Sequence, residues 1–281
     1  MERDEGRAPT RDVAALRAFV DAHLVPGVDV VDGDVLTRHV TGPDGPERLV
    51  VDWRRVEATE HPLARRWLGL DTETRTAEVA LASDPVVGPL VRARPGLVVP
   101  GSCDEFETAV MAVLGQQVTL AAARTFAGRL AAAHGARHGG ALLFPTAPAL
   151  AAVDPGELQS RVGVTTARAR TVVALAEAVA GGLDLTASGR RDDLLGVVGV
   201  GPWTADYVDL RCRRDPDAFL PGDLVLRRAL GGCDAREAQR RSQAWRPHRA
   251  LALLHLWTAH ALVPDVAHRR RSGSTPEATL T

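Results

Sequence analysis

The chain has 281 residues, 45% of them hydrophobic and 25% charged, with a formal net charge of −1. That length holds one large domain or two smaller ones with real cores. No stretch approaches the roughly 20 unbroken apolar residues of a membrane span, and the charge is not that of a strongly basic nucleic-acid binder.

The first residues, MERDEGRAPTRD, are charged and lack an apolar segment, so no secretion signal is expected. Residues 11–24 show helical apolar spacing. The Val- and Leu-rich segments VDVVDGDVLTRHV and ERLVVDW, broken by DGD and GPDGP, read as antiparallel strands. Helical stretches follow near 61–70 and 76–94, and ARPGLVVPG at 93–101 reads as a linker. The fold class is therefore α+β, with a small antiparallel-sheet N-terminal domain over residues 1–97. From 104 to 266 nothing reads as a sheet. Asp154-Pro155 marks a helix start, and Gly181-Gly182 stops the helix over 165–180. Further helices fit 192–196, 203–213, 224–230, 235–244 and 248–262, so residues 98–266 form an all-α domain. The polar tail 267–281 is expected to be disordered. The three cysteines, Cys103, Cys212 and Cys233, are widely spaced and odd in number. They argue against a disulfide framework and for a reducing cytoplasm.

The informative segment runs from Leu195 through Gly199-Val200-Gly201-Pro202-Trp203-Thr204. Two glycines flanking one apolar residue permit a tight turn. Backbone N–H groups there, with the dipole of the helix opening at Trp203, suit a phosphate. Such a turn grips DNA without reading sequence. Val200 can plug it into the core. About twenty residues on, Asp223 stands just before a new helix; taken alone it reads as an N-cap. Trp203 and Tyr207, four apart, share a helix face, and by themselves read equally as core packing. His255 reads as a hydrogen-bonded structural histidine. Arg94, Arg246 and Arg249 suit phosphate contacts or surface ion pairs. All 34 basic residues are arginine, so no lysine side chain can form a Schiff base. Residues 201–281 carry 13 Arg against 9 acids, and residues 1–100 carry 13 against 17; if DNA binds, the C-terminal part should face it, although charge alone equally describes a solvated surface of mixed sign.

Gly199-Val200-Gly201-Pro202-Trp203-Thr204-Ala205-Asp206-Tyr207, followed by Phe219-Leu220-Pro221-Gly222-Asp223, resembles the helix–hairpin–helix–Gly/Pro–Asp superfamily of DNA glycosylases. More narrowly the chain looks like the 3-methyladenine DNA glycosylase II (AlkA) type. Ala93-Arg94-Pro95-Gly96-Leu97, Val113-Leu114-Gly115-Gln116-Gln117-Val118 and the run Arg246–Trp257 support the match. The resemblance implies a helix–hairpin–helix glycosylase domain with DNA in its cleft. It implies Asp223 as the catalytic carboxylate and Trp203, Tyr207 and Trp257 as base-pocket aromatics. Gly199, Val200, Gly201 and Thr204 would hold the DNA backbone, and Gln116 and Gln117 would fill the gap left by the base. Some relatives have leucine where Gln117 stands. No cofactor is required, though the carbonyls of Leu195, Val197 and Val200 match a set that holds Na+ or K+. In relatives that also cut the strand, a lysine replaces Trp203, so a monofunctional enzyme is expected.

The chemistry is consistent with this. A base inside a duplex must be flipped out before its glycosidic bond can be reached. Alkylation at N3 or N7 makes a purine cationic and a good leaving group, and an aromatic surface attracts it by about 0.5–2 kcal/mol. A carboxylate stabilises the oxocarbenium-like sugar. The expected partner is double-stranded DNA with alkylated bases, bound by a monomer without a membrane. Alternatives are uracil or a deaminated or oxidised base as substrate, or a non-catalytic damaged-DNA-binding module.

Overall fold

The computed structural model describes residues 11–263 except 43 and 190; the tail 267–281 lies outside them. Helix α1 (Val13–Ala22) opens under an Asp12 cap, whose carboxylate accepts the Ala15 N–H at 2.9 Å. A three-stranded antiparallel sheet follows: β1 (Asp29–Asp32), β2 (Val35–Gly42) and β3 (Gly45–Asp52), in that order. No strand precedes α1 among the described residues. Asp32 pairs with Val35 across a turn in which Gly33 takes φ +58°, and Leu36 faces Val51 on the central pair. Alternation puts Leu36, Val40, Leu49 and Val51 on the buried face. Helix α1 serves two cores at once. Leu16 and Val20 pack with the sheet, while Ala15 and Phe19 pack with C-terminal helices.

Helices α2 (Pro62–Leu68), α3 (Arg75–Leu81) and α4 (Gly88–Ala93) complete this part. The single helical stretch expected over 76–94 is thus two helices. Asp84-Pro85 breaks it, with the Asp84 carboxylate accepting the N–H groups of Val86 and Val87 at 2.8 and 2.9 Å. The segment read as a linker is packed: Leu97 and Val98 are buried, and Gly101 N–H donates to the Trp67 carbonyl at 2.8 Å.

The remainder is helical: α5 (Glu105–Leu114), α6 (Leu120–His134), α7 (Ala147–Ala151), α8 (Pro155–Val162), α9 (Thr166–Ala180), α10 (Arg191–Leu195), α11 (Pro202–Arg211), α12 (Leu224–Ala229), α13 (Ala235–Arg241) and α14 (Arg249–Trp257), the last running into a π turn over Thr258–Leu262. Contrary to the expectation of no sheet here, β4 (Arg137–His138) and β5 (Ala141–Leu142) make a small hairpin. Gly139 and Gly140 turn it, at φ +55° and +85°. Among the described residues no helix is long and apolar enough to cross a membrane. Two cores fill this half: one among α5–α11, the other joining α11–α14 to α1 and α4.

Two charged side chains point inward from the sheet, Arg38 and its cross-strand partner Asp29. Arg38, between Leu36 and Val40, is 3% exposed; it reaches Glu107 on α5 at 2.6 Å and Asp29 at 3.5 Å. Burial pushes the Glu107 carboxyl up to about 7, with Arg38 opposing that shift. The trio ties sheet to helices.

Candidate active site

The turn between α10 and α11 is built on Gly199. Its φ is +82°, and a β-carbon there would fall 1.8 Å from Thr171 Oγ1 on α9. Only glycine fits. Gly201 differs from the expectation: its backbone is extended, and a β-carbon would meet nothing within 4 Å. Val200 is buried at 7% exposure and anchors the turn, while Val198 stands 72% exposed at its tip. The sequence reading passed over Val198. Gly201 caps α11 without a side chain, and the N–H groups of Trp203 and Thr204 have no backbone partner among the described residues. The turn thus presents free donors at a helix start. Arg191 clamps Asp206 at 2.6 and 3.1 Å and staples α10 to α11.

Two residues read as DNA contacts have their side chains spoken for. Thr204 is buried, and its hydroxyl accepts from Gln116 Nε2 at 3.0 Å. The same Gln116 amide approaches the Gly199 carbonyl at 3.4 Å, and Arg168 donates to the Gln116 carbonyl. Gln116 is therefore a strut between the α5–α6 loop and the hairpin, and its side chain does not face outward. Gln117 does: it is exposed with φ +55°, a left-handed conformation that costs a non-glycine residue energy. The α5–α6 loop therefore offers one outward amide beside the turn.

Asp223 is the N-cap of α12, as a bare reading suggested, but that role engages only one of its oxygens. Oδ1 accepts the Leu226 N–H at 2.8 Å and the Trp257 indole N–H at 2.9 Å. No described residue bonds Oδ2, and the side chain is half-buried. Capping and indole together fix the carboxylate plane while leaving one oxygen for chemistry. Trp257, which the resemblance implies as a pocket aromatic, holds the acid in place through its indole N–H.

Trp203 and Tyr207 stack on each other, 5.3 Å between centroids at 16°. No ring fits between them, so only the outer faces of the pair are open to a flat ligand. Trp203 is half-buried, and Tyr207 is 7% exposed. Burial raises the Tyr207 pKa, and neighbouring Arg211 opposes this. Tyr207, Trp203 and Trp257 pack in one cluster, and Trp257 bonds the Asp223 carboxylate. Arg211 is a residue that sequence reasoning missed. It is 5% exposed and donates to the Tyr207 hydroxyl at 2.7 Å and to the carbonyls of Pro100 and Gly101 at 2.8 Å. Its guanidinium lies 4.6 Å from the Phe19 ring centroid. Spacing four residues after Tyr207 was the available signal.

The remaining arginines resolve toward ion pairs. Arg94 binds Asp12 at 2.8 Å, and Arg246 and Arg249 converge on Asp217 at 2.6 and 2.8 Å. His255 is in the core as expected, at 1% exposure, but neither ring nitrogen has a hydrogen-bond partner among the described residues. Its apolar surroundings hold it neutral, with a pKa lowered to about 4.

A profile of the HhH-GPD superfamily base excision DNA repair proteins matches residues 110–247. Over 189 residues the chain is 36% identical to DNA-3-methyladenine glycosylase 2 of Escherichia coli, covering 64% of this chain and 67% of that protein. The chain belongs to the HhH-GPD superfamily of base excision DNA repair proteins. It is 42% identical over 225 residues to a probable bifunctional transcriptional activator/DNA repair enzyme AlkA of Mycobacterium tuberculosis, a match over 75% of this chain and 44% of that protein. It therefore spans less than half the length of that relative. The fold is shared with a 3-methyladenine DNA glycosylase from Archaeoglobus fulgidus at a TM-score of 0.67 and 21% identity, over 92% of this chain and 98% of that one.

Proposed function

We propose that the chain is a monofunctional DNA glycosylase of base excision repair. It flips out an alkylated purine of the 3-methyladenine or 7-methylguanine type and hydrolyses the N-glycosidic bond, leaving an abasic site. The observation that carries this reading is the Asp223 carboxylate, pinned through Oδ1 with Oδ2 free and bonded to Trp257, which packs in one cluster with the Trp203–Tyr207 stack. As the bond breaks, Oδ2 faces the positive charge growing on the sugar and stabilises it in a water-poor site. The cationic base needs no strong acid to leave. Trp203 and Trp257 offer it electron-rich faces.

DNA is the partner, bound by a monomer on cytoplasmic chromosomal DNA. The hairpin donors at Trp203 and Thr204 take a phosphate, Val198 lies against the strand, and Gln117 enters the space the base vacates. A glutamine there can bond the orphaned base as well as fill the gap. A monovalent cation fits the turn. No described N–H bonds the Leu195 or Val200 carbonyls, and the Val197 carbonyl accepts only Val200 N–H at 3.0 Å. These neutral oxygens suit Na+ or K+, which would stiffen the turn under the phosphate. The lack of lysine leaves no side-chain amine for strand cleavage.

The test is release of free base from methylated DNA under single-turnover conditions, with Asp223→Asn as control. The wild type releases 3-methyladenine or 7-methylguanine, while the variant keeps its affinity for the DNA and loses excision. Turnover by Asp223→Asn at the wild-type rate removes this residue from the mechanism. A panel with uracil, hypoxanthine and oxidised guanine separates the other specificities, and binding without base release identifies a non-catalytic module.

A further inference from the structure

Behind Tyr207 lies a cavity of about 40 Å³ between α1, the sheet and α5. Phe19, His23, Asp29, Glu107, Tyr207 and Arg211 are among its walls. That volume takes one exocyclic group or a few waters. Its polar atoms are unusually defined. His23 Nδ1 lies 2.7 Å from the Phe19 carbonyl, and the imidazole stacks on the Phe19 ring at 4.4 Å. A carbonyl only accepts, so Nδ1 carries the proton. Burial and the nearby Arg211 hold the ring neutral, with a pKa of about 3. Nε2 is therefore a lone pair, and no described residue bonds it. The Tyr207 hydroxyl accepts from Arg211 at 2.7 Å, which leaves its own proton to donate. At the back, Asp29 is already engaged: Oδ1 pairs with Arg38 at 3.5 Å and Oδ2 accepts the Val25 N–H at 2.6 Å.

We propose that His23 and Tyr207 read the hydrogen-bonding edge of the expelled base, His23 Nε2 accepting a base N–H and the Tyr207 hydroxyl donating to the adjacent acceptor. The proposal rests on the alkylpurine reading above. An edge such as N1–H beside O6 of 7-methylguanine satisfies both groups. A base lacking that edge leaves the His23 lone pair and the Tyr207 hydroxyl proton unused, and discrimination by polar sites is strongest where such groups go unpaired. Arg211 is a positioning residue, since it fixes the direction in which Tyr207 donates.

The experiment compares single-turnover excision of 7-methylguanine and of 7-methyl-2-aminopurine, which is equally cationic at N7 but lacks O6 and the N1 proton. Intrinsic leaving ability cancels when the ratio of the two rates is compared between enzymes. His23→Phe and Tyr207→Phe are each expected to lower that ratio about tenfold, and His23→Gln, which keeps an acceptor, to lower it less. A purely structural role slows both bases alike, and an unchanged ratio in both Phe variants overturns the proposal. If the wild type releases neither base, the alkylpurine reading fails and this proposal falls with it.

Discussion

Trp257→Phe isolates the bond that orients Asp223. The substitution keeps an aromatic ring in the α12–α14 contact and deletes the indole N–H that lies 2.9 Å from Oδ1. A hydrogen bond to a charged group contributes about 1.5–3 kcal/mol, and each 1.36 kcal/mol of barrier is about tenfold in rate. Two effects oppose each other. Losing a donor leaves more negative charge on the carboxylate, which favours an oxocarbenium-like state. Losing it also frees the carboxylate to turn about the remaining Leu226 contact, and a misplacement of about 1 Å can cost a hundredfold. Orientation should win, because Oδ2 must face the sugar and no described residue bonds it. The retained Leu226 N–H bond at 2.8 Å limits the loss. We expect the single-turnover excision rate to fall about 10- to 100-fold, with affinity for DNA carrying an abasic-site analogue changed less than about threefold. Excision at the wild-type rate, in a variant that folds and binds, would refute the idea that the indole positions the acid.

Gly199→Ala should destabilise the protein by several kcal/mol, because its β-carbon would meet Thr171 Oγ1 at 1.8 Å on a backbone at φ +82°. Adding Thr171→Ala should restore part of that loss in urea denaturation; equal stability of the single and double variants would contradict the steric account. His255 has its pKa lowered to about 4 by burial, so the unfolded chain takes up a proton first as pH falls from about 6.5. Its contribution is therefore complete above pH 6.5 and is lost towards pH 4, by on the order of 3 kcal/mol. His255→Leu should flatten that part of the stability–pH profile; an unaltered slope argues against a neutral buried imidazole. Borohydride should trap no crosslink through a side chain, and a trapped internal peptide on mass spectrometry would contradict the monofunctional reading.

Elements whose signals are local were legible in the sequence. The β1–β2 and β2–β3 pairings follow from alternation with glycine turns, and the Asp154 and Gly181 helix ends from capping chemistry. The place of Asp223 at a helix start was equally local. What escaped notice depends on partners far away in the chain. Arg38 occupies an inward position of β2 that a period-two pattern assigns to an apolar residue; its reason is Glu107, 69 residues on. Gln116 looked like a loop residue, and its partner Thr204 is 88 residues away. Gly201 looked sterically required beside Gly199, yet only Gly199 meets α9. Trp257 was readable as an aromatic of the pocket but not as a donor, because nothing local fixes the direction of an indole N–H. The β4–β5 hairpin is too short for periodicity, and its Gly139-Gly140 pair was the only cue.

The Gln116 strut has a mechanical consequence. One amide fastens the segment that would plug the helix to the segment that would seize its backbone, so the two grips form a single jaw. On the proposed function, a lesion site that does not bend far enough to seat one grip would be held poorly by the other alone. On that same reading, discrimination between damaged and sound duplex would then begin with stiffness, before any base meets an aromatic face.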